Sequence, residues 1–183
     1  MNVVEFQFQE LYDVVCWSIK WDGNLNLQMN FGQPSLRIRE PRKPKKNAKM
    51  DYLNKYRHIN LRGEWLFWIL SGYWKLSIKD FDTVTGATSY KRMNMALARL
   101  SGQKLSHVNV NPDTAATQLD FDLGATLSIR RMGIKSQGDI WSLYKPTGYV
   151  LSVRADGRYS DEPREAKRKE HKWKPISYMV EQK

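Results

Sequence analysis

Short stretches of alternating apolar and polar residues dominate the chain, and one four-residue pattern occurs four times. Each copy reads Leu, Ser or Arg, Ile or Val, then a basic residue, and a glycine stands three or four residues before each leucine. A period of two is typical of a half-buried strand, and glycine supplies the left-handed conformation that a tight turn needs. The pattern predicts hairpins whose Leu and Ile or Val face a core. The copies begin at Leu36, Leu76, Leu127 and Leu151.

The copies also match over longer stretches, which indicates an internal duplication. Residues 27–39 resemble residues 119–130, and residues 63–79 resemble residues 138–154, in the same order. The simplest account is a pair of antiparallel β-units related by an approximate two-fold axis. We therefore expect a mainly β fold, α+β at its margins, in which all copies of the Leu-x-Ile/Val pair are buried.

The segment between the two units follows a helical period instead. Met93, Leu97 and Leu100 recur at the i, i+4 and i+7 spacing of one helix face, and Ser89 is a candidate N-cap. We expect one helix to join the units. The predicted organisation is a first β-unit over residues 1–88 with an insertion at about 40–58, a linking helix over 89–100, a second β-unit over 101–160 and a basic tail over 161–183.

The insertion carries most of the excess charge. The chain has 30 Lys and Arg against 19 Asp and Glu, a net charge of +11, and nine of the basic residues lie between residues 37 and 57. Paired leucines are 40 residues apart in the first unit (36 to 76) and 24 in the second (127 to 151), so the basic segment elaborates one copy only. This favours a loop that binds an acidic partner, and the alternative is a solvated loop that only aids solubility. The predicted partner-binding residues are Arg37, Arg39, Arg42, Lys43, Lys45, Lys46, Lys49 and Arg57.

Catalytic and metal-binding patterns are sparse. His58, His107 and His171 lie in different segments without a ligand spacing, and the single Cys16 excludes an internal disulfide framework or a multi-cysteine zinc site. Phosphate-cradling glycine loops and nucleophile elbows have no sequence support. We therefore predict a protein that is not an enzyme and uses no metal or cofactor.

Aromatic residues are dense between residues 65 and 74. Aromatic side chains beside a basic groove form stacking platforms for single-stranded nucleic acid, whereas the same side chains also fill β-cores. Trp65, Trp68 and Trp74 are therefore candidate partner contacts, with a core position as the alternative.

Membrane and export signals are missing from the sequence. No apolar run approaches the roughly 18–20 residues of a membrane span, and the first residues lack the basic-then-apolar layout of a signal peptide. We expect a cytoplasmic protein without membrane insertion.

The second unit carries a family resemblance. Its Leu-x-Gly at residues 100–102, Leu-Asp-Phe-Asp-Leu-Gly at 119–124, Trp-Ser-Leu at 141–143 and Gly-Tyr-Val-Leu at 148–151 resemble a loose group of small bacterial β-rich proteins. Some of these look like immunity proteins of polymorphic or contact-dependent toxin systems. The resemblance covers about sixty residues, within 100–160, and implies a defence role without assigning site residues. The basic insertion departs from the pattern and counts against a nuclease toxin as partner.

Two functions follow from these features. The first is a non-catalytic binding protein of the immunity or defence-accessory type that engages an acidic partner protein, either a toxin or a complex subunit. The alternative is a nucleic-acid-binding protein in which the insertion at 37–57 contacts phosphates. A steep loss of affinity with salt is expected of the second and not of an interface centred on apolar contacts.

Overall fold

The computed structural model describes residues 1–41, 55–132 and 138–177, and within these ranges the protein is mainly β, as predicted. It has two antiparallel sheets and one main helix. The helical elements are α1 (Val3–Phe6), α2 (Tyr90–Leu100) and two short 3-10 turns (Gln9–Leu11 and Arg168–Glu170). The strands are β1 (Cys16–Trp21), β2 (Leu27–Arg39), β3 (His58–Ile69), β4 (Tyr73–Ile78), β5 (Phe81–Thr85), β6 (Leu105–Val110), β7 (Thr117–Phe121), β8 (Ala125–Arg130), β9 (Asp139–Tyr144), β10 (Tyr149–Arg154), β11 (Arg158–Pro163) and β12 (Lys174–Pro175).

Each sheet combines strands from both sides of α2. The large sheet has the order β1-β2-β3-β9-β10-β11-β12, and the small sheet has the order β5-β4-β8-β7-β6. The two halves of the chain meet in the large sheet where β3 pairs with β9, and in the small sheet where β4 pairs with β8. Neither sheet is therefore built from one half of the sequence.

One hydrophobic core joins the inner faces of both sheets. Trp141 of β9 is fully buried, and its ring centre lies 5.7 Å from that of Phe8 and 5.3 Å from that of Phe67. Its indole N–H donates to the hydroxyl of Thr117 on β7, at 2.9 Å. A buried donor needs such a partner, so this bond ties the large sheet to the small one.

The predicted linking helix is confirmed as α2. Its buried residues are Met93, Ala96, Leu97 and Leu100, which is the apolar face expected from the spacing. Ser89 precedes the helix but makes no side-chain capping bond. None of the helices in the described ranges is long and apolar enough to cross a membrane.

The duplication is not confirmed. Residues 119–130 form a hairpin, β7–β8, that turns at Gly124, but residues 27–39 form the single strand β2. Gly32 lies at a β-bulge in β2, where two residues, Gly32 and Gln33, stand between Phe31 and Pro34 while only Glu64 stands between their partners Gly63 and Trp65 on β3. The hairpin expectation is therefore right at Gly124 and at Gly148, where β9 and β10 pair, and wrong at Gly32 and at Gly72, where the flanking strands β3 and β4 belong to different sheets.

The expected burial of the repeated pairs is confirmed for three copies and wrong for the first. Leu36 is 67% exposed and Ile38 is 53% exposed. They lie on the part of the β2–β3 ribbon made by residues 34–39 and 58–63, which pairs with no third strand among the described residues. We call this ribbon the arm. The buried copies are Leu76 with Ile78, Leu127 with Ile129, and Leu151 with Val153.

Candidate binding surfaces

A β-bulge lies at the point where the arm extends beyond the large sheet. Gly32 has a φ of +76°, a conformation that glycine adopts without strain. The Glu64 carboxylate lies over Gly32 and accepts the backbone N–H of Gln33 at 3.0 Å. Across the bulge, the Trp17 indole N–H donates to the Gly32 carbonyl at 2.8 Å. These contacts set the direction in which the arm leaves the sheet.

One face of the arm is apolar. Leu36 lies opposite Leu61, and Ile38 lies opposite Ile59, so all four side chains share a face. Leu61 is 51% exposed and Ile59 is 62% exposed. Along β3 these two residues continue the core-facing side of the strand beyond the end of the core. We call the four side chains the apolar stripe.

The other face of the arm is basic and overhangs the outer face of the large sheet. Arg37 and Arg39 alternate with the stripe residues on β2, and Arg62 does so on β3. Together with Lys20 and Gln28 from the sheet they line a concavity of about 820 Å³. Lys20 and Gln28 are direct cross-strand partners, so they present one patch of the sheet. We call this surface the concave face.

Three arginines approach each other at the base of the arm. The guanidinium carbons of Arg62 and Arg164 lie 5.5 Å and 5.4 Å from the ring centre of Tyr144. Burial, and then the positive charges of Arg164 and Arg37, lower the pKa of the Arg62 guanidinium. No carboxylate of the described residues forms an ion pair with Arg37, Arg62 or Arg164. The cluster therefore lacks a counter-charge of its own.

An aromatic pair continues the concave face across the sheet. The ring centres of Trp68 and Tyr144 lie 6.4 Å apart with 30° between the planes. Both side chains are half-buried, and they belong to neighbouring strands β3 and β9. The indole N–H of Trp68 has no hydrogen-bond partner among the described residues.

The predicted basic residues have different surroundings. Arg37 and Arg39 lie on the exposed arm. Arg57 is held by Glu40, with its Nε and Nη2 donating to the carboxylate at 3.0 and 2.9 Å. This pair reduces the charge that Arg57 offers a partner. The remaining predicted residues, Arg42, Lys43, Lys45, Lys46 and Lys49, lie outside the described residues.

Two of the three candidate tryptophans are part of the core. Trp65 is 6% exposed, and Trp74 is fully buried with its indole N–H donating to the Leu25 carbonyl at 2.8 Å. They cannot contact a partner, because both point from their strands toward the opposite sheet. Trp68 alternates with Trp65 and Phe67 on β3 and therefore lies on the outer face.

The sequence reasoning missed Lys20, Arg62, Tyr144 and Arg164. They come from β1, β3, β9 and the residue after β11, and only sheet pairing brings them together. Arg164 is placed beside the β9–β10 turn because its backbone N–H donates to the Gly148 carbonyl at 2.9 Å. The alternation of Ile59 and Leu61 with Asn60 and Arg62 was a usable local signal for a two-faced strand.

A second polar cluster lies where the tail crosses the outer face. Ser142, Ser152 and Ser160 stand side by side on β9, β10 and β11, and Ser160 hydrogen-bonds His171 at 3.2 Å. Burial raises the pKa of Asp139, and the ion pair with Arg168 at 3.0 Å partly offsets that effect. Ser160 is fully buried, and its hydrogen bond to His171 helps to hold the tail on the outer face of the sheet.

Comparisons of the chain with protein-family models, with curated proteins and with solved structures find no match. The arm and the concave face are therefore the basis for inferring function.

Proposed function

We propose that this protein is a non-catalytic binding protein whose arm docks on an acidic partner protein. The apolar stripe is the observation that supports this most. Its four aliphatic side chains are each more than half exposed and lie on adjacent strands of a projecting ribbon. Exposed apolar patches rimmed by polar residues mark interaction sites, and an uncovered ribbon of this kind is an aggregation risk.

The charge of the arm supports an acidic partner. Because the arm is a single two-stranded ribbon, Arg37 and Arg62 lie one backbone layer behind the stripe. A partner seated on the stripe would have its rim within a Debye length, about 8 Å at physiological salt, of these guanidinium groups. Acidic residues there would favour encounter, and the net charge of +11 opposes self-association through the same stripe.

The proposed role is that of an immunity or defence-accessory protein, with a toxin or a complex subunit as the acidic partner. The resemblance of residues 100–160 to immunity-type proteins supports this role. The docking element would then be the arm, which lies outside residues 100–160, while those residues contribute β9, β10 and β11 to the large sheet that holds it.

The test removes the stripe without changing the charge. The variant Leu36→Ser with Ile59→Ser loses two exposed aliphatic side chains, and the matched control Leu123→Ser with Met95→Gln loses two exposed apolar side chains elsewhere. All three proteins serve as baits in nuclease-treated host lysate with quantitative mass spectrometry, and any protein recovered is then produced pure and its affinity measured.

We expect wild type and control to bind one acidic protein equally, and the stripe variant to bind it at least about tenfold more weakly. Equal binding by the stripe variant, or recovery only of proteins without an acidic surface, would overturn the proposal.

A further inference from the structure

The arginines of the concave face alternate with the residues of the apolar stripe, and Ile38 and Leu61 of the stripe also border the concavity, whereas Leu36 and Ile59 do not. Arg37 and Arg62 form no ion pair with a carboxylate of the described residues, and the lining carboxylate Glu40 is already bonded to Arg57. Like charges held close together without a counter-ion repel each other. An anion bound between them relieves this repulsion, which makes its binding free energy more favourable.

We infer that the concave face binds single-stranded nucleic acid, with Arg37, Arg62 and Arg164 on phosphates and the Trp68–Tyr144 pair as a stacking surface for bases. This inference does not depend on the proposed docking of the stripe. Guanidinium groups present a planar fork that matches phosphate oxygens, and they are the side chains of choice for nucleic-acid backbones.

The shape favours a single strand over a duplex. Arg37 and Arg62 line the concavity of about 820 Å³, and Arg62 and Arg164 line a neighbouring one of about 340 Å³ with Tyr144, sizes that enclose a few flexible groups. A single strand can bend into it, whereas a duplex, whose persistence length is about 50 nm, is stiff on this scale.

The aromatic pair favours nucleic acid over an acidic peptide. The guanidinium groups of Arg62 and Arg164 both lie near the Tyr144 ring, with Trp68 beside it. Tyr144 and Trp68 are the cross-strand partners of Leu66 and Gln28, which line the concavity. A basic groove with aromatic rings along its floor is how single-strand binders hold successive nucleotides without reading sequence. Lys20 and Gln28 extend the polar wall toward the sheet edge, and neither makes a side-chain hydrogen bond within the described part of the chain.

The experiment measures fluorescence anisotropy of a labelled DNA strand of about 15 nucleotides with the full chain, against the duplex of the same sequence. The first variant is Arg62→Gln with Arg164→Gln. Its control is Lys75→Gln with Lys91→Gln, which removes the same charge from exposed positions on β4 and α2. The second variant is Tyr144→Leu, with Tyr144→Phe as the conservative control.

We expect the wild type to bind the single strand at least about tenfold more tightly than the duplex at roughly 50 mM salt. The arginine variant should lose about tenfold in affinity, and its slope of log affinity against log salt should fall by about 1.4, or about 0.7 for each lost contact. Tyr144→Leu should lose about five- to a hundredfold with the slope unchanged, and Tyr144→Phe should bind as the wild type does.

Three results would overturn the inference: no binding of the strand, equal binding of strand and duplex, or an arginine variant no weaker than its charge-matched control. Displacement of the strand by polyglutamate at equal charge concentration would instead assign the face to acidic proteins. The stripe variant Leu36→Ser with Ile59→Ser should bind the strand normally, so failure here leaves the stripe proposal standing.

Discussion

The copy of the repeat on β8 and the copy on the arm have nearly the same sequence and opposite surroundings. Leu127 and Ile129 are 0% and 2% exposed, whereas Leu36 and Ile38 are 67% and 53% exposed. In both copies the basic residues and the aliphatic residues lie on opposite faces of a strand. The difference is that β8 lies between β4 and β7 in the small sheet and faces the core. The arm pairs with no third strand among the described residues, and its apolar face is exposed.

This contrast shows that an alternating pattern specifies two faces but not what covers them. On β8 the apolar face contributes to folding because burial removes it from water. On the arm the same face contributes less to folding, since more than half of each side chain stays in contact with solvent. The free energy of burying this face is therefore available for binding a partner.

The largest difference between arm and core should appear in thiol reactivity. Cys16 is fully buried, and burial raises the pKa of its thiol, so it reacts only when the fold opens. In the variant Leu36→Cys the new thiol should react at least about a thousandfold faster than Cys16, because no opening is needed. Maleimide labelling followed by mass spectrometry measures both rates in one sample. A single slow rate for both thiols would mean that the arm is covered in the free protein.

Alanine substitutions at equivalent positions should give the next largest contrast. Leu127→Ala leaves a cavity in the core and should lower the free energy of unfolding by about 2–5 kcal/mol. Leu36→Ala removes a solvent-exposed side chain and should change it by less than about 0.5 kcal/mol. Urea denaturation followed by tryptophan fluorescence measures both. Similar losses for the two variants would contradict the exposed position of the arm.

The bulge glycine should show a smaller but distinct effect. Gly32 and Gly148 both have positive φ, at +76° and +83°, so alanine at either position should cost about 1–2 kcal/mol in backbone strain. A Cβ at Gly148 meets no atom within 4 Å, whereas one at Gly32 would collide with the Glu64 carboxylate. Gly32→Ala should therefore cost about 1 kcal/mol more, since the hydrogen bond that the Gln33 N–H donates to Glu64 is lost. Equal midpoints in urea for the two variants would show that Glu64 moves away freely.

Local features of the fold were predictable because their causes are local. The spacing of Met93, Leu97 and Leu100 predicted α2, and the glycines at 124 and 148 marked turns that the structure contains. The basic character of the segment around Arg37 and Arg39 was also visible in the sequence.

The binding surfaces were predictable only in part. The clustering of basic residues in the sequence identified the segment that contains the arm. It predicted Arg57 and Arg37 equally as partner-binding residues, although Arg57 forms an ion pair with Glu40. It could not place Arg62 and Arg164 beside Tyr144, because the pairing of β3 with β9 and the turn beside Gly148 join residues far apart in the chain.

Alternation along each strand thus determined which side chains share a face, since successive residues of an extended chain point in opposite directions. Glycine positions marked several of the turns and bulges, because a positive φ is free of strain there, while the bulge at Ser18 and the turn at Asp80 use positive φ without glycine. Which faces became core, which became the apolar stripe and which arginines met depended on how far the small sheet extends beneath the large one. That extent follows from hydrogen bonds between distant strands and from the packing of Trp141 against Phe8 and Phe67, interactions that exist only once the chain has folded.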